Sequence, residues 1–216
     1  TGVSLQTITF PSSMTAVTTL GNAFASCASL YQVTFPDGLT LNSVTDMANT
    51  FLDCVSLDND TIPSATSCTS YSGTFGRCSN LTNVKLTAIF TGSGTLTWTN
   101  AFLSCCSLVR ADIPTTGSIN TTWTMASMFS GCGSLAYFSF PSTIAISSFA
   151  STFNGCDSLV RVDMPTTITG LFTMASCFSG CSNLSYMTMP TGGSPSSINS
   201  AFLNCASLTS VVLGSN

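Results

Sequence analysis

One seven-residue phrase, Phe-x-x-Cys-x-x-Leu with Ser or Asn before the Leu, occurs eight times in the 216-residue chain. Successive cysteines of the phrase lie 24 to 27 residues apart. A period of this length is typical of a solenoid, in which each repeat forms one coil stacked on the next. The phrase begins at Phe24, Phe51, Phe75, Phe102, Phe129, Phe153, Phe178 and Phe202. We therefore expect a single domain over residues 1–216, with about eight full coils and an additional N-terminal strand.

The Leu of the phrase marks the start of a short strand in each coil. The residues three and five positions after it are apolar in most coils, as in Val33 and Phe35 or Val162 and Met164, whereas those two and four positions after it are mostly polar. This alternation predicts one inner and one outer strand face. Pro follows at the sixth position in most coils and ends the strand, because it lacks an N–H group. We expect the successive strands to form a parallel sheet.

The residues before each Phe of the phrase predict a short helix. The residue four positions before Phe is always apolar, which places both side chains on one helical face. The residue five positions before Phe has a side chain suited to capping a helix N-terminus. These capping residues are Thr19, Asp46, Ser70, Thr97, Thr124, Ser148, Thr173 and Ser197. The predicted fold class is an α/β solenoid, with a parallel β-sheet on one face and short helices on the other.

The composition argues against several function classes. The chain contains no His and no Glu, which removes the Ser-His-Asp and Cys-His mechanisms, His-ligated zinc, and Glu as a general acid or base. We therefore predict no enzyme activity, no cofactor and no metal. Four Lys and Arg residues and a net charge of −4 cannot form a phosphate-binding surface, so we expect no nucleic-acid binding. No apolar run is long enough to predict a membrane span.

The repeated cysteines allow two interpretations. Stacked coils bring equivalent residues close together, so the eight cysteines of the phrase could form a metal ladder or disulfide bonds. The interpretation that we favour is a column of buried free thiols, which act as small apolar residues before each strand. No paired Cys-x-x-Cys motif supports a metal site, and an identical stack does not readily offer disulfide geometry. Three further cysteines, Cys68, Cys106 and Cys177, lie at different repeat positions.

The repeat resembles the BspA-type leucine-rich repeats, whose unit reads Leu-x-x-Val-x-Ile-Pro followed by Ala-Phe-x-x-Cys-x-x-Leu. The segments 8–14 and 22–30 carry this resemblance, and 125–132 is similar to the Met-x-x-Met-Phe-x-x-Cys variant of surface lipoprotein repeats. The resemblance implies a right-handed leucine-rich-repeat solenoid that is extracellular or surface-displayed and acts in adhesion or recognition. The low charged fraction of 6% agrees with a neutral, hydroxyl-rich surface outside cells or on virus particles.

The outer positions of the strands hold the candidate binding residues. Leucine-rich-repeat proteins usually bind on this sheet, because neighbouring coils present a continuous array. Arg and Tyr are enriched in binding hot spots, and both recur on successive strands of the C-terminal half. The predicted binding residues are Arg110, Asp112, Tyr137, Arg161, Asp163 and Tyr186. Their partner would be a protein or a glycan. The alternative is that they form only solvated ion pairs and cation–π contacts.

Two further features have local interpretations. Asp60 stands at an inner strand position where seven other coils have an apolar residue, which favours a local distortion because a buried, unpaired carboxylate is costly. A calcium site formed by Asp53, Asp58 and Asp60 is an alternative. Asn120 begins an Asn-Thr-Thr acceptor sequence for glycosylation in a predicted loop.

Two functions follow from these observations. The first is a non-enzymatic recognition or adhesion module on a cell or virion surface, which binds a protein or glycan receptor on its parallel sheet. The alternative is a structural subunit that stacks head to tail into a filament or fibre. The chain starts within one strand unit and stops within another, at Leu213, and open solenoid ends favour self-association.

Overall fold

The chain is a parallel β-solenoid of about eight coils, as seen in a computed structural model that describes residues 4–58, 61–87, 94–113 and 121–212. Its strands pair only in parallel within the described residues. The strands are β1 (Thr7–Thr9), β2 (Gln32–Thr34), β3 (Thr61–Ile62), β4 (Asn83–Leu86), β5 (Gly94–Thr97), β6 (Arg110–Asp112), β7 (Thr121–Thr124), β8 (Tyr137–Ser139), β9 (Thr143–Ser148), β10 (Arg161–Asp163), β11 (Thr167–Thr169), β12 (Leu171–Thr173), β13 (Tyr186–Thr188), β14 (Ser194–Ser197) and β15 (Ser210–Val212).

The strands predicted from the repeated Leu are confirmed, and we call their array the front sheet. It comprises β1, β2, β3, β4, β6, β8, β10, β13 and β15. Where neighbouring front strands pair, equivalent residues of their coils are register partners, as for Val33 beside Ile8 and Val162 beside Phe138. The central residue of a front strand is buried in most coils, whereas the residue before it is exposed. The predicted inner and outer faces are therefore correct.

A second sheet, which we call the back sheet, is formed by strands that lie between the end of a front strand and the next Phe of the repeat. It comprises β5, β7, β9, β12 and β14, with β11 paired to β9. The residues five positions before each Phe are register partners from one coil to the next, through strand pairs and isolated bridges. We call this unbroken column the back ladder: Thr19, Asp46, Ser70, Thr97, Thr124, Ser148, Thr173 and Ser197.

The predicted short helices are wrong, because the described residues contain no helix. Consequently no helix among them is suited to crossing a membrane. Around each Phe the backbone instead makes consecutive tight turns, in which Ala23 N donates to Leu20 O at 3.0 Å and Cys27 N to Phe24 O at 3.2 Å. The intervening N–H groups donate to the next coil, as Phe24 N does to Thr50 O at 3.0 Å. Backbone N–H groups in these turns therefore alternate between acceptors in their own coil and acceptors in the neighbouring coil, whereas a helix would use only acceptors in its own segment.

A left-handed backbone conformation two residues before and two residues after each Phe explains why no helix forms. Around Phe129, for example, Ser127 has φ of 55° and Gly131 has φ of 76°. A right-handed helix cannot include such residues, and Asn, Ser, Asp or Gly fill most of these positions in the other coils. Several of the predicted capping side chains do accept a local bond, as when Ala48 N donates to Asp46 Oδ1 at 2.9 Å, but that bond begins a turn.

The core between the two sheets is a continuous stack of aromatic rings. The eight Phe residues of the repeat stack in sequence, with ring centroids 5.3 to 5.7 Å apart. Trp98 is buried and stacks on Tyr71 at 4.4 Å. Burial of this many large rings supplies much of the hydrophobic stabilisation that such short strands cannot supply themselves.

The repeated cysteines are free thiols that donate hydrogen bonds. All eleven cysteines are unpaired, and nine are buried, which agrees with the favoured interpretation of buried free thiols. They are more than apolar fillers, however, because from the second coil onward each repeat thiol donates to the backbone carbonyl of the Phe in the preceding coil. Cys132 Sγ, for instance, lies 3.1 Å from Phe102 O. Burial raises the pKa of Cys54, Cys105 and Cys181 to about 12. These thiols are therefore poor nucleophiles near neutral pH.

Candidate binding face on the front sheet

The front sheet is interrupted at two places in its C-terminal half. Strand β6 pairs with β4, β8 pairs with β10, and β13 pairs with β15. No ladder of backbone hydrogen bonds joins β6 to β8 or β10 to β13 within the described residues, although each pair is adjacent. The back ladder continues past both interruptions. The coils therefore remain stacked at the back while two pairs of front strands separate.

Each interruption opens a groove on the front sheet. Groove A, between β6 and β8, has a volume of about 500 Å³ and is lined by Val109, Arg110, Ala111, Asp112, Ile113, Ala136, Tyr137, Phe138 and Ser139. Groove B, between β10 and β13, has a volume of about 680 Å³ and is lined by Arg161, Val162, Asp163, Met164, Pro165, Thr166, Tyr186, Thr188, Met189 and Thr191. All six predicted binding residues line one of these two grooves.

The two grooves present the same residue types at equivalent repeat positions. One wall of each carries Arg and Asp at the outer positions of a single strand, Arg110 and Asp112 in groove A and Arg161 and Asp163 in groove B. The facing strand carries Tyr followed by a hydroxyl residue, Tyr137 with Ser139 or Tyr186 with Thr188. The grooves are therefore two copies of one arrangement, separated by the paired strands β8 and β10.

Ion pairs hold the two arginines along their own strands. Arg110 Nε donates to Asp112 Oδ1 at 2.7 Å, and Arg161 Nε donates to Asp163 Oδ1 at 2.6 Å. Both arginine side chains keep 70% of their surface exposed. The hydrogen bond and the charge of the adjacent Asp raise the pKa of each guanidinium. Exposed pairs of this kind fix the side-chain direction and contribute little to folding.

Asp163 also accepts a hydrogen bond from the other groove's tyrosine. Tyr137 Oη donates to Asp163 Oδ2 at 2.5 Å, across the paired strands β8 and β10. Burial alone raises the pKa of Asp163, but the bonds from Tyr137 and Arg161 outweigh it, so the pKa lies below its ordinary value. The hydroxyl of Tyr186 has a different hydrogen-bond partner from that of Tyr137, since it accepts a bond from Thr188 Oγ1 at 2.9 Å.

Apolar residues beside the charged pairs were missed at the sequence level. Val109 lines groove A directly before Arg110 and is 52% exposed, and Val160 has the same exposure directly before Arg161. Met164 and Met189 line groove B. The recurrence of Val-Arg-x-Asp at residues 109–112 and 160–163 is the sequence signal that could have identified the two valines.

Two of the three carboxylates of the alternative calcium site form hydrogen bonds with protein side chains in the structure. Asp53 forms a two-bond ion pair with Arg77, at 2.5 and 2.6 Å, and the bond from Arg77 lowers the pKa of Asp53. Asp58 Oδ1 accepts a bond from Thr82 at 3.1 Å. Asp60 and the glycosylation candidate Asn120 lie outside the described residues. Across the part of the chain that is described, no cluster of three His, Cys, Asp or Glu residues could hold a metal ion.

Comparison with known proteins identifies the repeat. The model of the BspA type leucine rich repeat region matches residues 1–123 and 98–216, with six copies. No curated protein matches the chain.

Two solved structures are similar to the chain. One is a leucine rich cell surface protein from Faecalibacterium prausnitzii A2-165, with 21% identity over 98% of this chain and a TM-score of 0.40; the chain spans 60% of that protein's length. The other is a leucine-rich repeat protein from Bacteroides ovatus ATCC 8483, with 20% identity, a TM-score of 0.45, and coverage of 96% of this chain and 69% of that one. Because the family model matches both halves of the chain, the chain belongs to the BspA-type leucine-rich repeat family.

Proposed function

We propose that this chain is a non-enzymatic recognition or adhesion module that binds a protein or glycan on its front sheet, through grooves A and B. One observation carries the proposal: the two interruptions of the front sheet in the C-terminal half hold the same Arg, Asp and Tyr arrangement. Stacking alone does not require identical exposed side chains at two separated strand gaps. Membership of a leucine-rich repeat family favours a binding role.

The side chains of the grooves are suited to recognition. Tyr137 and Tyr186 are about half exposed, at 48% and 52%, so their rings offer apolar area beside a polar hydroxyl. Their ion pairs hold Arg110 and Arg161 in one direction, which lowers the entropy that is lost when a ligand binds. Exposed apolar residues such as Val109 can exclude water around these polar groups.

We propose an extracellular or cell-surface location for this module. The family assignment and the neutral, hydroxyl-rich composition support it. Display on a virion surface remains a prediction of the sequence. Head-to-tail self-assembly also remains a prediction, and sedimentation of the purified chain over a range of concentrations tests it.

A double substitution in groove B tests the proposed binding face. We expect Arg161→Ala with Tyr186→Ala to weaken binding at least about tenfold on arrays of extracellular proteins and glycans, because hot-spot side chains dominate interface energy. The matched control is Arg77→Ala with Tyr31→Ala, which removes an exposed Arg and an exposed Tyr outside both grooves. Equal binding by the two double variants would contradict the proposal.

A further inference from the structure

We propose that grooves A and B are two equivalent subsites for one uncharged polysaccharide with a repeating unit. This inference rests on the proposed function and specifies its ligand. It begins from the equivalence of the grooves: each places a guanidinium and a carboxylate on one strand and a phenol on the facing strand, at the same repeat positions. A ligand that repeats along its own length can satisfy both copies with the same chemical groups.

The direction of the repeat follows the stack of coils. Arg110 and Arg161 lie on strands β6 and β10, with β8 between them, so the grooves are two coil steps apart. Adjacent parallel strands are spaced about 4.8 Å apart, which places equivalent groove atoms at least about 10 Å from each other. A polymer lying across the strands meets both grooves, and that separation is of the order of a disaccharide. A single folded protein loop has no reason to repeat its chemistry at this interval.

The charge of the grooves favours a ligand without net charge. Each groove arginine is paired with an aspartate of the same strand, so the charges cancel within each site. The chain has a net charge of −4 and only four Lys and Arg residues, which disfavours an anionic polymer. A neutral chain of sugars needs no net charge in the grooves and is not repelled by the negative charge of the protein.

The side chains present also match the chemistry of sugars. The carboxylates of Asp112 and Asp163 can accept bonds from sugar hydroxyls, while the Arg110 and Arg161 guanidinium groups keep further N–H donors beyond the Nε bonded to Asp. The exposed rings of the two groove tyrosines can stack on the apolar face of a sugar ring. Each groove therefore combines donors, acceptors and an aromatic surface for one sugar unit.

Binding of neutral oligosaccharides of increasing length tests the inference. The probes are β-1,4-glucan, β-1,4-mannan, α-1,6-glucan and chitin oligosaccharides, measured by calorimetry with the unmodified chain. We expect at least one series to bind, with a gain in affinity of at least about tenfold once the oligosaccharide is long enough to reach both grooves, because the second contact becomes intramolecular. Absence of binding to every series would overturn the inference, and so would affinity that does not rise with length.

Variants of each groove separate the subsites. Arg110→Ala with Asp112→Ala in groove A, and Tyr186→Ala in groove B, should each abolish the gain with length while short oligosaccharides still bind. The control, Asp53→Ala with Arg77→Ala, removes an exposed ion pair outside both grooves and leaves the net charge unchanged, as the groove A variant does. Length dependence that persists in both groove variants would overturn the inference.

Failure of the inference can be distinguished from failure of the proposed function. If the chain binds a protein on the arrays, with loss in the Arg161→Ala, Tyr186→Ala variant, but binds no neutral oligosaccharide, the front sheet is a binding face and the polysaccharide assignment is wrong. If neither kind of ligand is affected by changes in the grooves, the proposed function itself is wrong.

Discussion

The hydroxyl of Tyr137 donates a hydrogen bond to Oδ2 of Asp163 at 2.5 Å, from a wall of groove A to a wall of groove B. The two residues lie on the paired strands β8 and β10, which separate the grooves. Asp163 also holds Arg161 through its other carboxylate oxygen. The two grooves therefore share one polar network, and a change in Tyr137 should be measurable at Asp163.

Tyr137→Phe should raise the pKa of Asp163 toward its ordinary value. The tyrosine hydroxyl is one of two donors that hold this pKa down against the opposing effect of burial. A carboxyl with a lowered pKa contributes stability above its unfolded-state pKa of about 3.9, and the contribution is lost as pH falls through the folded-state pKa. The variant should therefore lose part of the acid-side dependence of its stability. NMR titration of the Asp side chains measures the shift, and an unchanged Asp163 pKa would contradict the prediction.

Tyr186→Phe is the matched control for this measurement. It removes the same hydroxyl from the equivalent tyrosine of groove B, whose bond is to Thr188. We expect the pKa of Asp163 to stay the same in that variant.

The buried thiols should make the chain progressively less stable above about pH 8.5, where cysteines of the unfolded chain ionise. Burial raises the pKa of Cys105 to about 12, so the folded chain keeps a proton that the unfolded chain loses. Stability from a raised pKa is present below the unfolded pKa and is lost as pH rises toward the folded value. Between about pH 5 and 8 we expect little change, because the chain has no His and no Glu. Denaturant unfolding under reducing conditions measures both ranges.

Cys105→Ala should reduce the alkaline slope of stability against pH, by at most about 1.4 kcal/mol per pH unit for one ionising group. Cys106→Ala, which removes the neighbouring exposed thiol, is the matched control. A flat profile in the unmodified chain above about pH 9 would show that the thiols ionise in the folded state.

Ser127→Val should destabilise the chain by about 1–2 kcal/mol, because a β-branched residue fits poorly in the left-handed conformation. Ser127 has φ of 55° and lies in the turn that replaces the predicted helix of its coil. Ser127→Gly should be tolerated, since Gly adopts this conformation readily. Ser130→Val is the control within the same turn segment, at a residue whose φ is not positive. Thermal unfolding measures all three, and equal costs for the two Val variants would contradict the turn geometry.

The front sheet could be predicted from the sequence because each of its strands needs only a local alternation. Leu, an inner apolar residue and a following Pro fix the position and the two faces of a strand such as β2 or β10. The six predicted binding residues could be placed on the outer face for the same reason. Their grouping into two grooves could not be predicted, because it depends on which neighbouring front strands are not hydrogen-bonded to each other. That depends on the packing between two coils and not on the sequence pattern within one.

The helices were predicted wrongly because a pair of apolar residues four positions apart is compatible with two backbone conformations, a helix and a pair of tight turns. Leu20 and Phe24 could share one face of a helix, and two consecutive tight turns also keep both side chains on the core side. The sequence does distinguish the two cases, through the Ser, Asn or Gly residues two positions before each Phe, such as Asn22 and Gly73. These residues are poor choices for the middle of a helix and good ones for left-handed turn positions.

The unbroken back ladder has a mechanical consequence. Under tension along the coil stack, the described strands at grooves A and B have no front ladder to resist separation, so the load there would fall on the backbone bonds of the back sheet and turns. Thr97, paired with both Ser70 and Thr124, belongs to the column that transmits this force from coil to coil. The proposed binding face and the sheet that would withstand tension thus belong to different sheets of the same coil.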